Sequence, residues 1–175
     1  MITARVWQLS WKNGHRYLKV LESLDKNELA RLCGKALFSH DNASAALGIK
    51  IVEVTPGHAT ASMDIRADMV NGFDICHGGL IFSLADSAFA LACNSHNMVA
   101  YAMGCHIEYL RPALKGDHLT AHATEMDRTR NTGSYVVSVA NQDGKTIAVF
   151  HGRSSNRGHP LITHADLEGL LKDNE

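Results

Sequence analysis

One carboxylate, Asp86, stands inside the largely apolar run "LIFSLADSAFALAC" from Leu80 to Cys93, and His77, Gly78 and Gly79 stand directly before that run. Burying an unpaired charge is costly, so the aspartate needs either a partner or a task. A capping or ion-pairing role is one reading. The His-Gly-Gly lead-in supports another: at a helix start the first backbone N–H groups lack intrahelical partners and the macrodipole is positive. Glycine lets a ligand approach that backbone closely. Such an end can hold a developing oxyanion, as preorganised donors do in acyl transfer.

The elements that position these groups follow from spacing. At 100° per residue Leu80, Ile81, Leu84, Ala85, Ala88, Leu91 and Ala92 share one broad helical face, while Phe82, Asp86, Phe89 and Cys93 share another. A helix apolar on both sides is covered on both, by a sheet on one and by a second subunit on the other. Gly78 and Asp86 are eight residues apart, about 12 Å along a helix at roughly 1.5 Å per residue. An aspartate cannot span that, so acting on one carbonyl requires the two groups to come from different chains related by a twofold axis.

Around this helix the chain reads as helix, two strands, helix, four strands. "LDKNELARLCGKALFSHDNASAALGI" carries helical spacing at Leu29, Leu32 and Leu37, with Asp25 placed to cap it. From Ile49 the period is two, and Pro56-Gly57 marks a hairpin turn before Ala59, Ala61, Met63 and Ile65. "MVAYAMGCHIEYL" alternates through Val99, Tyr101, Met103, Cys105, Ile107 and Tyr109 until Pro112 closes it. "DHLTAHATEM", "GSYVVSVANQ" and "KTIAVFHGRS" follow, the last two joined through Asp143-Gly144. This order predicts an antiparallel α+β domain. Residues 1–35 read as a partly helical N-terminal extension, 36–157 as the domain and 158–175 as a C-terminal tail.

Seventeen Lys and Arg against eighteen Asp and Glu leave a net charge of -1, so no broad field invites nucleic acid or an anionic membrane. No run approaches the roughly 18 apolar residues of a spanning helix. Cys33, Cys76, Cys93 and Cys105 form no C-x-x-C pair, which fits reduced thiols and a cytoplasmic setting. His118 and His122 form H-x-x-x-H, but on a strand and without the glutamate of a zinc helix, so no metal site is expected. No G-x-S-x-G or dinucleotide fingerprint occurs. Cys76 beside His77 is read as a structural thiol, because adjacent residues rarely present side chains to each other.

The motifs "ALGIKI", "MVNGFDICHGGLIFSLADSAFALACNS", "YLRPALKGDHLTA" and "VANQDGKTIAVFHGRS", in that order from about Asp41 to Arg153, resemble the PaaI-type phenylacetic acid degradation thioesterases of the hotdog-fold acyl-CoA thioesterase superfamily. The resemblance implies a six-stranded antiparallel sheet wrapped around one long helix, assembled as homodimers and commonly homotetramers. It implies Asp86 as nucleophile or general base and Gly78, from the other subunit, as N–H donor to the thioester oxygen. His77 would support that end, Asn71 would position the substrate, and Ser87 would orient water or the carboxylate. Gly79 and Phe82 would lie against the substrate, and Arg111 and Arg153 lead Lys115 and Arg157 as holders of the coenzyme A phosphates. The implied activity is hydrolysis of aryl or phenylacetyl-type CoA thioesters without any cofactor. A non-catalytic acyl-CoA sensor is the alternative, and a hydratase a weaker third; an intact Asp86 favours the enzyme.

Overall fold

The computed structural model describes residue 21 and residues 23–163. Most of the expected N-terminal extension and most of the expected tail lie outside them. Three helices and six strands follow in the order α1 (Lys26–Phe38), α2 (Asn42–Leu47), β1 (Lys50–Thr55), β2 (His58–Asp64), α3 (Gly78–Asn94), β3 (Ala100–Tyr109), β4 (His118–Arg128), β5 (Thr132–Ala140) and β6 (Thr146–Asn156).

The strands form one antiparallel sheet in the order β1-β2-β4-β5-β6-β3, so β1 and β3 are its edges. Helix α3 touches all six strands. Ile81, Leu84, Ala85, Ala88, Leu91 and Ala92 are buried against the sheet as the helical spacing predicts, while Leu80 is only partly buried. Phe89 is also buried, its ring edge-on to Tyr135 at 5.3 Å and tilted on Phe150 at 5.8 Å. Such aromatic pairs add about 0.5–1.5 kcal/mol each beyond area burial. Gly152 lies on this inner face, and a Cβ there would meet Phe89 at 2.9 Å.

The helix expected from Leu24 onward is two helices. Asp25 caps α1, accepting from the N–H groups of Asn27 and Glu28. The chain breaks at Ser39 to Asp41, where the Ser39 hydroxyl donates to the Ala36 carbonyl and Asp41 caps α2 by accepting from the Ser44 N–H. Short polar side chains offer the backbone these alternatives, and the overall apolar period does not register them.

Strand β3 departs from its apparent pattern. Its alternation predicts a buried face, yet Tyr101, Met103, Cys105 and Tyr109 are exposed, and a bulge between Ala102 and Gly104 interrupts the register with β6. The strand is a sheet edge, and among the described residues Tyr101, Met103 and Tyr109 each stay half exposed or more. Among the described residues no helix is long and apolar enough to cross a membrane.

Candidate active site

The site is built where α3 runs beside β3. Two contacts clamp strand to helix at opposite ends. Buried Asn94, the last residue of α3, accepts from the Ala100 N–H at 3.0 Å and donates to the Ala100 carbonyl at 3.1 Å. At the other end the Tyr109 hydroxyl donates to the Gly78 carbonyl at 2.9 Å.

His77 is the N-cap, its Nδ1 accepting from the Gly79 N–H at 3.1 Å. That bond requires Nδ1 without a proton, so the neutral ring carries its hydrogen on Nε2. The Gly78 N–H has no acceptor among the described residues, as expected for the first helical position. A Cβ on Gly78 would stand 3.1 Å from Tyr109 Cζ, a tight contact that would push the ring back by a few tenths of an ångström. A groove of about 440 Å³ runs past the helix start, lined by Asn71, Ile75, Gly78, Tyr109, Arg111 and Pro112 among others. Asn71 accepts from the Phe73 N–H through Oδ1, holding the loop that leads into the helix. Arg111 donates to the Thr146 carbonyl at 2.8 Å, which fixes one edge of its guanidinium beside the groove.

Asp86 lies two turns further along α3, half-buried, with no hydrogen bond or ion pair to any described residue. Desolvation raises its carboxyl above the ordinary aspartate value of 3.8. Its charge reaches the thiols of Cys93 and Cys105, which places it toward β3. Burial pushes the Cys33 and Cys93 thiols up to about 12 and the Cys76 thiol to about 11, and raises Cys105 as well. Phe82, one turn before Asp86, packs edge-on against Phe150 at 5.4 Å.

Ser87 faces α2 instead of β3. Its Oγ is 3.0 Å from Ser44 Oγ, and Ser44 donates to Asp41 Oδ2 at 2.6 Å. Because the single Ser44 hydrogen is spent on Asp41, Ser87 donates to Ser44, and its remaining lone pairs can only accept. One chain therefore brings Asn71, Gly78 and Arg111 to one groove, with His77 next to it as the helix cap, and sets Asp86 apart from them. Arg153 is also elsewhere: it follows inward-facing Gly152 on β6 and lines a hollow on the sheet's outer face with His106, Met126 and His151. Among the described residues no group of three or more His, Cys, Asp and Glu side chains is arranged to hold a metal. His118 pairs with Asp64 and His122 with Thr60.

Residues 73–148 match the family model described as the thioesterase superfamily. The chain is 45% identical over 130 residues to the acyl-coenzyme A thioesterase PaaI of Escherichia coli, covering 74% of this chain and 93% of that relative. The chain belongs to the thioesterase superfamily, in its PaaI branch. The solved structure of the Escherichia coli PaaI protein from the phenylacetic acid degradation operon superposes on this thioesterase with a TM-score of 0.77, at 41% identity over 78% of this chain and 99% of the other. A Streptococcus mutans protein solved with acetyl CoA bound gives a TM-score of 0.62 at 25% identity, over 64% and 90% of the two chains. The hotdog fold and thioester hydrolysis are thereby assigned to this chain.

Residue reasoning overlooked Tyr109, Ser44 and Asp41. Tyr109 directly precedes the "LRP" motif and shares the apolar alternation of β3, which marked it as core. Ser44 and Asp41 lay within a stretch read as continuous helix.

Proposed function

We propose that this thioesterase hydrolyses acyl-CoA thioesters carrying aryl or arylacetyl groups, with Asp86 acting on the carbonyl carbon and the Gly78 N–H of a second subunit holding the carbonyl oxygen. The observation that carries the reading is the desolvated Asp86, two turns from a helix start, with neither its carboxylate nor the first helical N–H partnered among the described residues. Hydrolysis needs a polarised carbonyl and delivery of water, or of a carboxylate that forms a mixed anhydride, and Asp86 serves either route.

A homodimer formed over the exposed side of β3 would bring the two groups together, because Tyr101, Met103, Tyr109 and Leu110 are each half exposed or more in the lone chain. Two such dimers would make the tetramer expected of the family. Phe82 and the Phe150 ring behind it offer an aromatic wall for the acyl group, and the operon of the Escherichia coli relative favours phenylacetyl substrates. Arg111, anchored beside the groove, is suited to a CoA phosphate.

The test is thiol release from phenylacetyl, hydroxyphenylacetyl, benzoyl and fatty acyl-CoAs by the protein and its Asp86→Asn variant. Preference for the aryl substrates, abolished in the variant, is the expected result. Binding without hydrolysis across the panel would overturn it.

A further inference from the structure

The oxyanion donor sits at a helix end that is poorly held by the helix itself. A first turn has no preceding turn to bond to, and here its first two residues are both glycine, which loses more conformational freedom on folding than any other residue. Two side chains compensate. His77 takes the Gly79 N–H, and Tyr109 reaches across from β3 to take the Gly78 carbonyl. These are the two ends of one peptide unit, so the Gly78–Gly79 peptide is gripped at its N–H and at its C=O. The Tyr109 ring also lies over Gly78, where an added Cβ would meet it at 3.1 Å and displace it slightly. The Gly78 N–H is left without an acceptor among the described residues.

We propose that Tyr109 is a positioning residue for the reaction: its hydroxyl fixes the Gly78–Gly79 peptide so that the Gly78 N–H stays aimed at the thioester oxygen. This rests on the assignment of Gly78 and Asp86 made above. Tyr109 touches no reacting atom; it acts through the backbone of Gly78. A phenylalanine there would keep the ring and the packing and lose only the grip on the carbonyl.

The test compares Tyr109→Phe with the parent on phenylacetyl-CoA. A misaimed oxyanion donor lowers turnover without weakening ground-state binding, so kcat should fall about tenfold while KM stays within about twofold and the thermal midpoint is unchanged. Unchanged kcat overturns the proposal, and so does a loss confined to KM or to thermal stability. A second measurement follows the carbonyl itself. In Asp86→Asn protein the substrate stays intact, and the stretching frequency of its thioester carbonyl reports the pull of the Gly78 N–H. Adding Tyr109→Phe should cancel at least half of the downshift. A downshift that survives Tyr109→Phe but vanishes with Gly78→Pro, which deletes the N–H at a helix position that tolerates proline, overturns the role of Tyr109 and leaves the site reading intact. No downshift in Asp86→Asn protein overturns both.

Discussion

The Asp86 carboxylate and the Gly78 N–H are carried by one helix, two turns apart, and neither has a hydrogen-bond partner among the described residues. Two groups suited to opposite ends of one carbonyl are thus held too far apart to share it. Mixed subunits test the consequence. Chains carrying Asp86→Asn and chains carrying Gly78→Pro, which removes the N–H, should be inactive alone, whereas random pairing should restore about one quarter of the parental sites, because half the dimers are mixed and each holds one intact site. Assaying thiol release before and after subunit exchange checks this; stable mixed dimers with no activity would contradict it.

The carboxyl of Asp86 also affects stability. Its pKa is raised in the folded chain, so the folded protein binds the proton more tightly than the unfolded one. No penalty exists below the unfolded value; the penalty grows as pH rises through the folded pKa and is constant above it. Asp86→Asn should therefore raise the thermal midpoint at neutral pH, and the gain should disappear near pH 3. Thermal scans of both proteins across that range measure it.

The uncovered side of β3 supplies a third expectation. Placing a charge there, as in Met103→Lys, should leave the fold intact, shift the protein to monomers in light scattering and reduce turnover at least about a hundredfold, since a buried unpaired charge is costly at an interface. Normal assembly of the Met103→Lys variant would remove β3 from the contact.

Inside the domain, Gly152 is fixed by its neighbours. Gly152→Ala would set a methyl against Phe89 and Phe150, both buried. Overpacking of this kind costs about 1–3 kcal/mol, readable as a lower urea midpoint with an unchanged slope.

Much of this was legible from residue spacing. The period of 3.6 located α3 and its buried face, and the period of two located the strands. What escaped is local or relational. The split between α1 and α2 depends on Asp41 and Ser44 bonding each other, a choice that apolar periodicity cannot express. The alternation of β3 was correct as a pattern, but whether such a face meets its own helix or another molecule is decided by strand order. Arg111 and Arg153 look equivalent as strand-end cations, yet Arg111 lies in the loop after β3 and reaches the groove, while Arg153 lies within β6 and points to the outer face.

An enzyme that cleaves thioesters works among thiols, its own included. Acyl transfer to a cysteine would trap the substrate on the protein, and only a thiolate performs it. Cys93 and Cys105, the two thiols within reach of the Asp86 charge, have their pKa values raised by burial and by that same carboxylate. With Cys93 near 12, only about one molecule in 10⁵ would carry its thiolate at pH 7. Burial first, and the Asp86 charge second, thus keep sulfur beside this carboxylate from competing for an acyl group, so that a thioester cleaved here would leave as a free acid instead of an acylated protein.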